Sequence, residues 1–216
     1  MSMRLAALVP TYFPDTEDGR HRRRVWRYLE REHWGRLGDV PVYCGRDRLA
    51  VRELCPFSVS RAINDAARHA RLAPGVQGFV IMGADQIPDP VALEYAARML
   101  EHWPWVRLYS RIAYLDEGGT RKLLDGGTAA WPVHIEAPCP GVVAVRRDVW
   151  DQVGGMDERY EGWGYEDDAF CEQLRKVAGS PAPTSPYTLR ELWHDPARRI
   201  AGPDNPNHQL FNGRRA

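Results

Sequence analysis

Three consecutive carboxylates open a predicted helix, and no other residues of this chain are better suited to acid–base chemistry. Glu166, Asp167 and Asp168 precede apolar residues at positions 170, 174 and 177, the spacing of an amphipathic helix. Adjacent carboxylates raise one another's pKa, which is a usual way of preparing a general base. The alternative is structural, because acids at a helix start complement the backbone dipole by about 0.3–1 kcal/mol each. Spacing alone favours that alternative, but a helix start does not need three acids.

A tryptophan lies three residues before the first of these acids. Trp163 stands between Gly162 and Gly164, so its indole is carried by a backbone with few steric restraints. An aromatic side chain on such a segment, next to carboxylates, indicates a lid over a binding site.

The segment that contains these residues resembles a known family. Residues 153–168, VGGMDERYEGWGYEDD, are similar to the acidic block of GT-A glycosyltransferases, in particular the family-2-like enzymes and the C-terminal region of the β-1,4-galactosyltransferases. The resemblance implies that Trp163 closes over a donor sugar and that the acids, Glu166 to Asp168, bind the acceptor. It also implies that Asp167 is the catalytic base, with Glu166 beside it. Tyr165 stands where the galactosyltransferases have a second glycine.

The first predicted strand supplies further candidates. Residues 4–9 form a short apolar run that ends at Pro10, Thr11 and Tyr12. Ligands collect at the carboxyl ends of strands in open α/β sheets, although an ordinary turn is equally compatible with these residues. The resemblance places a nucleotide base here, which makes the three residues candidates for donor binding.

The predicted strand at 78–82 leads to a candidate metal ligand. Asp85 lies where the resembling families have an Asp-x-Asp motif, but Gly83 replaces the first acid. Mn²⁺ or Mg²⁺ prefers hard oxygen ligands and leaves positions for phosphate oxygens. One carboxylate therefore requires at least one further protein ligand. The alternative is that Asp85 is only a turn residue.

A histidine follows the last predicted strand, at 187–193. A lone histidine is usually structural, but the resemblance implies that His194 completes the metal site. His208 is the second candidate for this ligand. The tail from residue 198 resembles the loop that becomes ordered over bound donor.

Two predicted helices carry polar or basic residues that could either bind the donor or have only a structural role. The serine-capped helix at 57–70 resembles one in family-2-like enzymes, which implies that Arg61 and Asn64 lie beside the nucleotide. The alternatives are a surface salt bridge and a polar helix face. The arginine-rich helix at 20–31 is interpreted chiefly as a solvated face, although one of its first arginines could reach a diphosphate.

The remaining elements are predicted from periodicity and turn residues. They are strands at 40–44, 106–109 and 141–145, a short turn of helix at 148 that ends at the glycine pair 154–155, a helix at 91–102, a polar loop at 116–127 and a turn-rich connection at 179–186. Acceptor specificity is expected in residues 129–139.

Composition limits the class of protein. The 216 residues are 44% hydrophobic, and 29 basic residues balance 29 acidic ones. This zero net charge gives no indication of nucleic-acid binding and leaves local patches open. The four cysteines lack metal-site spacing, the first residues show no signal-peptide pattern, and no run approaches about 18 apolar residues. We expect a soluble enzyme in the reducing cytoplasm.

These features predict one GT-A-like α/β domain over residues 1–216, with a mostly parallel sheet and helices on both faces. The nucleotide-binding half is expected at about 1–90 and the acceptor-binding, catalytic half at about 91–216. The expected reaction is the metal-dependent transfer of a sugar from a UDP- or GDP-sugar to a hydroxyl of a carbohydrate, a protein or another compound, with inversion. Two alternatives remain: a non-catalytic module that binds nucleotide-sugars or carbohydrates, and a nucleotidyltransferase.

Overall fold

The computed structural model describes residues 3–37, 39–51, 55–134, 141–183, 185–194 and 202–213. Within these ranges the strands are β1 (Leu5–Pro10), β2 (Val42–Gly45), β3 (Gly78–Ile81), β4 (Gln86–Ile87), β5 (Trp105–Arg107), β6 (Arg111–Tyr114), β7 (Val133–His134), β8 (Val143–Arg146) and β9 (Thr188–Glu191). The α-helices are α1 (Glu17–Glu32), α2 (Arg48–Val51), α3 (Val59–Ala70), α4 (Pro90–Met99), α5 (Glu117–Leu124), α6 (Arg147–Val153), α7 (Glu166–Ala178) and α8 (Pro206–Gly213).

Five strands form the central sheet, in the order β2-β1-β3-β8-β5. β1 is parallel to both β2 and β3, whereas β8 is antiparallel to β3 and to β5. Four of these five strands therefore point in the same direction. The predicted α/β class with a mostly parallel sheet is confirmed.

Helices cover both faces of this sheet. Successive side chains of β1 alternate between two hydrophobic clusters, with Leu5, Ala7 and Val9 in one and Ala6 and Leu8 in the other. The first cluster includes residues of α1 and α4, and the second includes residues of α3, α6 and α7. Because both faces of the strands are apolar, the predicted helices on both faces follow from the sequence pattern.

A second sheet, which the sequence did not predict, has the order β4-β9-β6-β7. In it, β4 is antiparallel to β9, with Gln86 opposite Glu191, and the Leu192 N–H donates to the Asp85 carbonyl at 2.9 Å. This pairing brings the residues that follow β3 next to the end of β9. Asp85 and His194 are thereby placed near each other despite their separation in sequence.

The predicted loop at 116–127 is wrong, because α5 occupies most of it. Asp116 caps this helix by accepting a hydrogen bond from the Gly119 N–H at 2.6 Å. The two glycines at 118 and 119 suggested a loop, but a capping aspartate can offset their low helix propensity.

Residues 135–140, and 198–201 at the start of the predicted donor loop, lie outside the described residues. None of the described helices is both long enough and apolar enough to cross a bilayer.

Candidate active site

A cavity of about 460 Å³ opens where β1 and β3 end. This volume lies within the range of about 300–1,000 Å³ that is typical of small-molecule sites. Its lining includes seven of the residues that the sequence predicted for the site: Pro10, Tyr12, Asp85, Trp163, Glu166, Asp167 and His194. The cavity is therefore lined by candidates from four separate parts of the sequence: the first strand, the predicted metal motif, the predicted lid and the acidic helix.

One wall of this cavity carries three groups that could bind a metal ion. His194 Nε2 lies 2.7 Å from Asp85 Oδ2, and the carboxylate of Glu191 joins them so that one ligand atom from each residue lies within 4.8 Å of the others. All three side chains are partly buried. Glu191 is therefore a possible third protein ligand beside Asp85 and His194.

The donor set fits a divalent ion of the Mn²⁺ or Mg²⁺ type. Two carboxylates and one imidazole offer two hard oxygens and one nitrogen, and three protein ligands leave coordination positions for phosphate oxygens. The ligand atoms are close enough that small side-chain rotations would bring all three onto one ion. The chemistry of these residues is therefore compatible with the predicted metal.

The start of the acidic helix α7 forms another part of the lining. Burial, followed by the neighbouring charges of Glu166 and Asp168, raises the pKa of Asp167 well above its ordinary value, although the side chain keeps some contact with solvent in the cavity. Burial also raises the pKa of Glu166, and within the described part of the chain its Oε2 is buried without a hydrogen-bond partner. Asp168 is exposed and is not part of the lining. Asp167 and Glu166 are thus the acids of this helix start that line the cavity.

Gly141 makes room for the Asp167 carboxylate. A Cβ at position 141 would lie only 2.7 Å from Asp167 Oδ2, so a side chain there would displace the carboxylate. Gly141 also lines the cavity. The sequence did not single out this glycine as a site residue, because only the folded structure brings it next to α7.

The segment around Trp163 has an unusual backbone. Gly162 and Gly164 have φ angles of 71° and 101°, and Tyr165 has a φ of 69°, which is uncommon for a residue with a side chain. The ring of Tyr165 packs against His208 and Phe211 of α8, with centroid distances of 5.2 and 5.7 Å. These contacts hold Tyr165 at a position where the resembling enzymes have glycine.

Two buried asparagines also hold this segment. Asn205 Nδ2 donates to the Trp163 carbonyl at 3.1 Å, and Asn207 Nδ2 donates to the carbonyls of Glu161 and Gly164 at 2.9 and 3.0 Å. Buried amides fix backbone geometry, because each lost partner would leave an unsatisfied polar group. The indole of Trp163, which is 40% exposed, is thereby presented at the cavity wall.

His208 does not join the candidate metal ligands. Its ring contacts Tyr165, and Asn212 Nδ2 lies 3.0 Å from its Nε2. Among the described residues, the group of possible ligands at Asp85 contains His194 and Glu191 but not His208. The second candidate for the imidazole ligand is therefore not supported by the geometry.

Thr11 is held at the carboxyl edge of the central sheet by hydrogen bonds between two strand ends. Its hydroxyl and its N–H both donate to the Gly45 carbonyl, at 3.0 and 2.9 Å, and the residue is buried. These bonds tie the ends of β1 and β2 together. The lining of the cavity includes the neighbours Pro10 and Tyr12 but not Thr11.

Arg61 and Asn64 also lie outside the lining of the cavity. Arg61 forms ion pairs with the fully buried Asp47 at 2.9 Å and with Glu161 at 2.8 Å. Asn64 Nδ2 donates to the Met156 carbonyl, and its Oδ1 accepts from the Met156 N–H. Both side chains fasten α3 to the segment that precedes Trp163, and their place beside the nucleotide stays a prediction.

Replacing Arg61 should therefore lower the free energy of unfolding substantially. Burial would raise the pKa of Asp47, but Arg61 and three backbone N–H groups hold it below its ordinary value. Arg61→Met leaves this buried carboxylate without its cation, so we expect a loss of about 3–5 kcal/mol in the free energy of unfolding, measured with urea. Arg98→Met, which breaks an exposed pair with Glu94, is the control and should change it by less than about 1 kcal/mol. Equal losses in both variants would contradict this assignment.

The sequence did not predict two of the lining residues that carry chemistry. Phe57 stacks on Tyr12 with ring centroids 4.8 Å apart and an interplanar angle of 10°, and both rings line the cavity. Glu191 is the third possible metal ligand. Its position three residues before His194 was the available signal, but an acid in a short strand usually indicates a solvent-facing side chain.

A comparison with known families supports the predicted resemblance. Residues 127–182 match a family described as the N-terminal domain of galactosyltransferase. This segment, about a quarter of the chain, contains the whole acidic block at 153–168. The resemblance to galactosyltransferases stated from the sequence is confirmed there. No curated protein matches the chain significantly.

Solved structures of one enzyme resemble the chain. The catalytic domain of Drosophila β1,4-galactosyltransferase 7 in complex with xylobiose is 16% identical, with a TM-score of 0.48, over 88% of this chain and 65% of that one. A mutant of the same Drosophila enzyme, in complex with manganese, UDP-Gal and xylobiose, is 15% identical, with a TM-score of 0.46, over 94% of this chain and 69% of that one. This chain thus spans less than two thirds of the length of the first.

Proposed function

We propose that this protein is a metal-dependent glycosyltransferase that moves a sugar from a nucleotide-sugar to an acceptor hydroxyl. The observation that carries the proposal is that one cavity contains both the possible ligands Asp85, Glu191 and His194 and the carboxylates Glu166 and Asp167. The first group suits a diphosphate with its counter-ion, and the second suits a hydroxyl that must lose a proton. We further propose that residues 1–216 form one domain for this reaction.

The donor would bind across the ends of β1, β3 and β9. Tyr12 and Phe57 form an aromatic pair in the cavity wall, which is suited to contact with a nucleobase. Asp85, Glu191 and His194 would hold the divalent ion, which stabilises the negative charge that develops on the departing diphosphate. A UDP- or GDP-sugar meets these requirements.

The acceptor hydroxyl would approach from the acidic helix start. Asp167 takes its proton as the hydroxyl oxygen forms a bond to the anomeric carbon, and the bond between that carbon and the diphosphate oxygen breaks. Glu166, which lines the cavity beside Asp167, accepts a hydrogen bond from the acceptor and orients it. Attack opposite the leaving group inverts the anomeric configuration. The acceptor is a carbohydrate, a protein or another compound with a free hydroxyl.

The lid would report donor binding. Trp163 lies between two glycines at the cavity wall, so binding of donor and Mn²⁺ should change its surroundings and therefore the tryptophan fluorescence. The chain has eight tryptophans, so Trp163→Phe is the necessary control. We expect this variant to lose most of the donor-induced change. A change of undiminished size in Trp163→Phe would remove the lid role.

The product released from the donor separates the proposed function from its alternatives. The protein is incubated with UDP-glucose, UDP-galactose, GDP-mannose and similar donors in the presence of Mn²⁺, and the nucleotides are separated by chromatography. Free nucleoside diphosphate is expected. Pyrophosphate would indicate nucleotidyl transfer, and donor binding without either product would indicate a binding module. The binding module was suggested by Gly83, but Glu191 supplies a second carboxylate and weakens that argument.

A further inference from the structure

Gln86 links the candidate metal centre to the glycine that replaces the first acid of the motif. The Gly83 N–H donates to Gln86 Oε1 at 2.7 Å, and Gln86 Nε2 donates to Glu191 Oε2 at 3.2 Å. Gln86 and Glu191 are also directly opposite in the pairing of β4 with β9. The side chain of Gln86 therefore connects two segments that each contribute to the site.

The orientation of this amide is determined by its partners. A backbone N–H can only donate, so the end of the amide that faces Gly83 must be the oxygen. The NH₂ end then faces the Glu191 carboxylate and donates to one of its oxygens. Glu191 also contributes a carboxylate oxygen to the group of possible metal ligands with Asp85 and His194.

Gly83 is required for this arrangement. A Cβ at position 83 would lie 2.4 Å from Asp85 Oδ1 and 3.1 Å from the amide carbon of Gln86. The space of a side chain at position 83 is thus already occupied by Asp85 and Gln86. An acid at position 83 is incompatible with the observed places of these two residues.

We propose that Gln86 is a positioning residue that orients Glu191 as a ligand of the divalent ion, so that Glu191 provides the carboxylate that position 83 lacks. This inference rests on the metal site of the proposed function. Hydrogen bonds from outside the ligand shell fix the orientation of ligating carboxylates, and their loss typically lowers metal affinity about 10–100-fold. The two carboxylates of the site then come from two separate segments, Asp85 just before β4 and Glu191 at the end of β9, rather than from a single Asp-x-Asp motif.

The test measures Mn²⁺ affinity from the loss of the electron paramagnetic resonance signal of free Mn²⁺. Gln86→Met keeps the approximate size of the side chain and removes both hydrogen bonds, so we expect its affinity for Mn²⁺ to fall about 10–100-fold. Gln209→Met, at an exposed position on α8, is the matched control and should bind like wild type. Thermal melting identifies any variant that has lost its fold.

A double-mutant cycle separates positioning from a general structural effect. In a Glu191→Gln background, Gln86→Met should have little further effect on Mn²⁺ affinity, because the residue it orients is already lost. Additive losses would overturn the proposal, and so would wild-type affinity in a folded Gln86→Met variant. Wild-type protein that binds no Mn²⁺ would instead refute the metal site itself, and this inference with it.

Discussion

Asp167→Asn is expected to lower kcat by about 10²–10⁴-fold, the usual contribution of a general base. The variant keeps the size of the side chain next to Gly141 but cannot take the acceptor proton. Donor affinity should remain nearly unchanged, because the possible metal ligands lie on other elements. Steady-state kinetics and calorimetric titration of the donor measure the two quantities. Activity within a few-fold of wild type would reassign the base to Glu166 or Asp168.

The pH dependence gives a second readout of the same residue. Burial and neighbouring acids raise the pKa of Asp167, and only the deprotonated form can act as a base. Activity should therefore rise as pH increases through this raised pKa, above the range of an ordinary aspartate.

The same pKa shift predicts an effect on stability. Ionised Asp167 destabilises the folded protein at neutral pH, since the pKa of its carboxyl is higher in the folded state than in the unfolded state. Asp167→Asn should accordingly raise the midpoint of thermal unfolding while it abolishes most of the activity.

His194→Ala is expected to remove the dependence of nucleotide binding on Mn²⁺. The loss of a hydrogen-bonding partner behind a ligand lowers metal affinity about 10–100-fold, so the loss of a ligand should reach at least the upper end of that range. Calorimetry with UDP or GDP, with and without Mn²⁺, measures this effect. The ion should bind weakly alone and better with the diphosphate, whose oxygens complete its coordination.

Two other histidines serve as controls for this variant. His69→Ala changes an exposed residue on α3 and should leave metal-dependent binding intact. His208→Ala tests the second candidate and should also retain it, because His208 packs against Tyr165. Loss of metal dependence in His208→Ala but not in His194→Ala would reverse the assignment. Equal nucleotide affinity of wild type with and without Mn²⁺ would exclude Asp85 as a ligand.

The strands and the acidic helix were predictable because their signals are local. The apolar run of β1 and the i, i+4, i+7 pattern of α7 each lie within a few residues. Asp85 and His194 both follow predicted strands, but it was the resemblance to GT-A glycosyltransferases that implied that they meet at one metal site. The structure brings them within 2.7 Å.

The residues and contacts that were missed depend on distant partners. Glu191 becomes a possible ligand only because β9 pairs with β4, and a strand of two residues gives almost no sequence signal. The buried ion pair of Arg61 with Asp47 was not predicted either, because Asp47 belongs to a separate segment whose approach is set by the packing of α3. Gly141 likewise acquires its role from the carboxylate of Asp167 on another element.

The configuration of the product tests the proposed mechanism most directly. Proton NMR follows the anomeric proton of the donor during incubation with wild-type protein, Mn²⁺ and a set of hydroxyl acceptors. We predict that the donor signal decays together with the appearance of a transferred sugar of opposite anomeric configuration, at a rate that Asp167→Asn greatly reduces. A product of unchanged configuration would contradict direct displacement by a hydroxyl that Asp167 deprotonates, and a donor that is bound but never consumed would contradict sugar transfer.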